Sequence, residues 1–154
     1  MSSVVYTIGH SVHTWESFQP LLAANGVDTL VDVRSRPASR HAPFANKRRL
    51  QAHLEDAGIR YIFLGEKLGA RPLNKEMYDR GGKPDFGRIG STPEFSEGID
   101  DLVPVVEGSA VAIMCAEEDP ANCHRNVLVA PRLLERGIEI RHIRKDGSVE
   151  GRLL

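Results

Sequence analysis

Apolar positions in this chain fall into short continuous runs separated by longer stretches with helical spacing. Val4 to Ile8 is β-branched and aromatic, reads as a strand, and breaks at Gly9-His10-Ser11. Thr14 can cap a helix that places Trp15, Phe18, Leu21 and Leu22 on one side, and Asn25-Gly26 ends it. Thr29 to Val33 is a second strand, nearly all apolar up to Asp32, as in a sheet covered on both faces. A Pro-bearing loop from Arg34 to Phe44 leads to a basic helix, Lys47 to Ala57, anchored by Leu50 and Leu54 and stopped by Gly58. Ile59 to Leu64 is a third strand.

Gly65 to Gly90 is rich in glycine and predicts a long irregular segment, either functional or mobile. Ser91-Thr92-Pro93-Glu94 is a helix start, and the helix runs toward Val105 although Gly98 and Pro104 weaken it. The apolar run Val111 to Met114 is a buried strand. A loop with Pro120 follows, then a helix beginning near Cys123 and ending at Arg136, with Pro131 predicting a kink or a late start. Ile138 to Ile143 is the last strand, and Asp146-Gly147 turns the chain into a tail that can add a hairpin. Strands alternating with helices predict an α/β fold: three layers, with a mostly parallel central sheet of about five strands flanked by helices. It is Rossmann-like, but no GxGxxG or GxxxxGK[ST] occurs, so neither a dinucleotide fingerprint nor a P-loop is expected.

Length and composition narrow the class. One domain over residues 1–154 is expected, with 41% hydrophobic and 27% charged residues, ordinary for a globular protein. A net charge of −1 argues against broad nonspecific nucleic-acid affinity, yet leaves room for a local basic patch. No apolar stretch of roughly eighteen residues suggests a membrane span, and the N-terminus lacks a signal-peptide pattern, so the expectation is a cytoplasmic protein with no membrane partner. A homodimer is the default for a small soluble domain. Two cysteines are too few for a disulfide framework, and in a reducing compartment they read as buried thiols, ligands or nucleophiles.

Chemistry-bearing residues gather where strands end. In open α/β sheets ligands bind outside the carboxyl ends of the strands. There the first strand delivers Gly9, His10 and Ser11, the second Asp32 and Arg34, and the Val111 strand Cys115 and Glu117, followed by Cys123, His124 and Arg125. Cys123 at a helix start beside an imidazole and a guanidinium can be a nucleophile, or a buried apolar thiol. Cys115 reads as core; with Cys123, His124 and His10 or His13 it could instead bind zinc, or with Cys123 form a redox pair without CxxC spacing. Asp32 and Arg34 are either an ion pair fixing the loop, or a base and an anion contact. His10 is a candidate general acid/base or a loop-stabilising hydrogen bond, and Glu117 a candidate proton carrier or a cap for the helix end beside Cys123. Arg34, Arg36, Arg40, Lys47, Arg48 and Arg49, with Phe44 among them, could contact a nucleotide or nucleic acid between Arg34 and Arg49. The alternative is a solvated helix balanced by Glu55 and Asp56.

Several blocks carry a family resemblance: Tyr6-Thr7-Ile8-Gly9-His10-Ser11, Leu30-Val31-Asp32-Val33-Arg34-Ser35 with Pro37 and Ser39, Leu64-Gly65 with Leu68-Gly69, and Met114-Cys115-Ala116-Glu117 with Pro120 and Cys123-His124-Arg125. In these the chain resembles the uncharacterised DUF488 family. Ala70 departs from it, standing where the family continues with a second glycine. The resemblance implies one common site and carries no established activity with it. The Asp32-Val33-Arg34 strand end is also similar to that of rhodanese-type sulfur-transfer domains, whose catalytic cysteine sits in a glycine-rich loop absent here.

Three functional readings follow, in order. The first is an enzyme for a phosphorylated or nucleotide-like substrate. Its catalytic set is His10, Asp32, Glu117, Cys123 and His124, and its substrate contacts are Gly9, Ser11, Arg34, Arg40, Cys115 and Arg125. No cofactor and no metal are assigned in it. The second is a noncatalytic nucleotide or nucleic-acid module, and the third a zinc-supported structural or redox protein.

Overall fold

A computed structural model describes residues 3–124 and 128–151. Among these the strands are β1 (Val4–Gly9), β2 (Thr29–Asp32), β3 (Arg60–Phe63), β4 (Val111–Cys115), β5 (Glu139–Ile143) and β6 (Val149–Gly151). They form one sheet in the order β3-β2-β4-β1-β5-β6. β1 to β5 are parallel, and β6 runs antiparallel to β5. The sheet therefore has six strands rather than five. The tail pairs because Gly147, at φ +90°, closes a tight turn, with Arg144 N donating to Ser148 O at 2.8 Å. The Arg144 guanidinium then bridges Glu118 and Glu150.

Six α-helices are described: α1 (Trp15–Ala24), α2 (Lys47–Asp56), α3 (Gly65–Leu68), α4 (Phe86–Gly90), α5 (Pro93–Gly108) and α6 (Ala130–Glu135). α1 starts on a capping box in which Thr14 and Ser17 satisfy each other's backbone. The glycine-rich segment is more regular than its composition suggests. Asp85 caps α4 by accepting from Arg88 N, and Leu68 of α3 packs so closely on Gly98 of α5 that a Cβ there would collide with it. Gly98 is thus a packing position, which is why it does not break α5. That helix extends to Gly108, past Val105, because Phe95, Ile99, Leu102 and Val106 bury one continuous stripe. α6 is described from Ala130, with Pro131 near its start; Leu128 and Val129 before it are already helical, as is His124, and residues 125–127 lie outside the described residues.

The buried side chains form two groups that the strands divide by alternation. From β4, Val111, Ile113 and Cys115 join residues of α5 and α6; Ala112 and Met114 join residues of α1 and α2. All five parallel strands present their carboxyl ends on one rim. Gly9 is level with Cys115, and Asp32 is level with Met114 and Phe63. No helix among the described residues is long and apolar enough to cross a membrane.

Candidate functional site

The β1–β4 ladder continues past the last strand residues, with His10 N donating to Cys115 O and Ser11 N to Ala116 O, both at 3.0 Å. This draws the cysteine loop across the end of β1. Gly9 permits the approach: a Cβ there would overlap the Glu117 carbonyl. Ser11 then turns with φ 42°. On the far side Gly65 does the same for Arg34, whose carbonyl occupies the place of a side chain.

Asp32 is fully buried and saturated. Its Oδ1 accepts from Arg34 N and Nε, and its Oδ2 from Arg34 Nη2 at 2.8 Å and the Tyr61 hydroxyl at 2.7 Å. The ion pair anticipated from the sequence is formed. Arg34 Nη2 also donates to Ala45 O. Arg34 Nη1 is buried without a hydrogen-bond partner among the described residues, a state that leaves a charged donor unused. Burial, the Asp32 charge and its hydrogen bond push the Tyr61 phenol far above its usual range.

His10 is buried beside this pair. Its Nδ1 meets the Ser11 carbonyl at 3.0 Å. A carbonyl only accepts, so Nδ1 carries the proton and Nε2, which has no partner among the described residues, is a bare acceptor. Burial above all, with the Arg34 charge adding to it, lowers its pKa to about 4. At neutral pH His10 is therefore uncharged.

Cys115 and Cys123 are both buried, and their sulfurs are paired as a disulfide. This corrects the expectation of buried thiols, ligands or nucleophiles; of the alternatives in the sequence, the redox pair is the one that joins the two sulfurs. The correction comes from the loop: drawn back over Gly9 and turned at Pro120–Asn122, it returns Cys123 to the end of β4 despite the seven intervening residues. His124 lies beside the pair. Its Nε2 is 3.1 Å from the Val33 carbonyl and its Nδ1 3.8 Å from Cys123 Sγ. By the same logic Nε2 carries the proton, and Nδ1 lies beside the sulfur, which as half of the disulfide has no proton to donate.

A cleft of about 360 Å³ opens over these groups, with Arg34, Cys115, Cys123 and His124 in its wall. Arg36, Arg71 and Glu117 also line it. Arg36 and Arg71 are exposed and make no ion pair among the described residues. Arg71 is held at the rim because its backbone N donates to Ser35 Oγ at 2.8 Å.

A family model described as a domain of unknown function, DUF488, matches residues 14–130, well over half of the chain. The chain belongs to the DUF488 family. No curated protein and no solved structure matches it. The DUF488 match contains Asp32, Arg34, both cysteines and His124; Gly9, His10 and Ser11 precede it.

Of the residues singled out from sequence, Arg34, Cys115, Glu117, Cys123 and His124 meet in the cleft wall. Gly9, His10 and Asp32 lie buried behind it and do not line it. Ser11 is half-buried at the β1 turn. Arg40 is exposed and outside the cleft. Arg125 lies outside the described residues. Sequence reasoning missed Arg71 and Phe86, which enter from the glycine-rich segment; its unusual length was the available signal. Among the described residues no three His, Cys, Asp or Glu side chains gather as a metal site would require.

Proposed function

We propose that this DUF488 protein is a cysteine-dependent enzyme acting on a small anionic substrate of the phosphorylated or nucleotide-like class. We read residues 1–154 as one three-layer α/β domain that presents this site at the carboxyl rim of its sheet. The observation that carries the proposal is the position of His124, its Nε2 against the Val33 carbonyl and its Nδ1 beside Cys123 Sγ. A nucleophile, its base and a group orienting the base are the three parts of an activated cysteine. Once the disulfide is reduced, Cys123 gives its proton to His124 Nδ1, and the thiolate attacks. Arg36 and Arg71 hold the anionic group at the mouth, with Arg34 below them, kept in place by Asp32. Glu117 moves a proton at the rim. His10, uncharged and behind the wall, shapes the site and takes no part as an acid.

The test uses reduced Cys115→Ser protein, in which Cys123 is the one thiol. Its iodoacetamide alkylation at pH 7 is expected to fall roughly tenfold on adding His124→Ala, as the thiolate fraction drops. Inorganic phosphate is expected to protect Cys123. Equal rates with and without the imidazole would end the nucleophile assignment.

A second reading is favoured by one further feature. Lys47 N donates to Pro37 O and Ser39 N to Asn46 Oδ1, which folds the Arg36–Arg40 loop against the start of α2. Arg40, Arg48 and Arg49 are exposed there without ion pairs among the described residues. Such a patch suits a nucleic-acid backbone. In that reading Arg40→Glu with Arg48→Glu abolishes salt-dependent binding of a single-stranded oligonucleotide, and Cys123 is replaceable.

A further inference from the structure

The enzyme reading uses one cysteine, and the structure holds two in contact. Cys115 is fixed at the end of a buried strand, while Cys123 arrives on a loop and carries the imidazole. Both line the cleft, beside Arg36 and Arg71. A second cavity of about 520 Å³ shares Ser35, Arg36 and Arg71 with the first and adds Leu73, Met77 and Ile89. The two arginines thus stand between a compartment with sulfur chemistry and a roomier one whose wall mixes Leu73, Met77 and Ile89 with Glu66, Lys67 and Glu94.

We infer that Cys115 is the resolving partner of Cys123, and that the cleft exchanges its dithiol with the disulfide of a small, negatively charged thiol. This rests on the anion-binding reading above and names its substrate class. The Cys123 thiolate attacks one sulfur of the substrate disulfide R–S–S–R, forming a mixed disulfide and expelling R–S⁻ with the electron pair of the broken bond. Cys115 then attacks Cys123 Sγ, closing the protein disulfide and expelling the second R–S⁻, which takes the Cys115 proton. The first R–S⁻ takes the proton that Cys123 had passed to His124. The sum is protein dithiol plus RSSR giving protein disulfide plus two RSH, with two electrons moving to the substrate; an excess of RSH drives it backward. Arg36 and Arg71 select the anionic R group, and the wider cavity accepts its bulk. The handles are chemically distinct: a phosphate-bearing thiol such as coenzyme A places its nucleotide in the wider compartment, whereas glutathione offers only carboxylates.

The experiment uses the full chain, reduced and freed of reductant. It follows protein oxidation by coenzyme A disulfide, oxidised glutathione, hydroxyethyl disulfide and cystamine, which are anionic, anionic, neutral and cationic. The anionic disulfides are expected to react at least roughly tenfold faster than the cationic one, the range electrostatic focusing supplies. Arg36→Glu with Arg71→Glu should erase that preference. Coenzyme A disulfide ahead of glutathione assigns the phosphate handle, and the reverse order the carboxylate handle. Cys115→Ser should accumulate the mixed disulfide on Cys123, read by intact mass; Cys115→Ala is the second variant if the serine is poorly tolerated. No adduct on Cys123 with any disulfide overturns the exchange reaction. Adducts formed without regard to charge overturn the substrate class. Phosphate binding to Cys115→Ser/Cys123→Ser protein separates the two failures: if phosphate still binds, the anion site stands and the exchange alone is wrong.

Discussion

At Gly9 a single hydrogen atom decides whether the cysteine loop can close over β1. Gly9→Ala drives a Cβ into the Glu117 carbonyl, which is backbone and can yield only by moving the loop. Overpacking of this kind costs about 1–3 kcal/mol, so urea unfolding should show that loss, with weaker phosphate protection of Cys123. Unchanged stability would mean the loop does not press on Gly9. Asp32 makes a sharper case. Asp32→Asn leaves the Arg34 guanidinium buried without its counter-ion, an expected loss of roughly 3–5 kcal/mol in the same assay. A loss below about 1 kcal/mol would show that Arg34 is hydrated in solution. Gly9, Asp32 and Arg34 were all legible as residues, since a glycine at a strand end and an alternating acid and base are sequence patterns. The sulfur pairing was not. It depends on where a loop returns in space, and no spacing rule for a seven-residue gap encodes that.

Among the elements, α2 is electrostatically the wrong way round. Its first turn carries Lys47, Arg48 and Arg49, no acid, and no side-chain cap from Asn46, all at the positive end of the helix dipole. Arg48→Glu should therefore raise stability by about 0.3–1 kcal/mol, visible as a small upward shift in thermal midpoint. A drop would reveal an anionic partner of Arg48 in the folded protein. If the same variant also weakens oligonucleotide binding, the cations are held there for a polyanion rather than for the helix. Element identity was read well where apolar spacing was long and regular, as in α1, α2 and α5. It was read poorly in the glycine-rich segment. There α3 and α4 are too short for periodicity, and α3 packs on α5 through contacts, such as Leu68 on Gly98, that join distant positions.

For the molecule as a whole, the parallel sheet explains why residues from three distant segments converge, and that much follows from alternating strands and helices alone. The strand order does not, because β4 enters between β1 and β2 only once the β3-to-β4 connection is folded. This insertion sets His10 beside the Asp32–Arg34 pair and buries it, with a consequence for global stability. An unfolded chain protonates His10 near its ordinary value of 6.5, whereas the folded protein resists until about 4. Between these values the unfolded state holds more protons, so stability is full above the upper limit, declines as pH falls through the window, and levels off below it. The complete loss is on the order of 3 kcal/mol. His13 acts in the same direction, its pKa lowered by burial and then by Lys145, so wild type alone cannot separate the two. His10→Gln can: comparing its unfolding free energy with wild type at intervals from pH 7 down to 5, before carboxylates dominate, should show a visibly shallower decline in the variant. Parallel curves would place the His10 ring in water rather than behind the cleft wall.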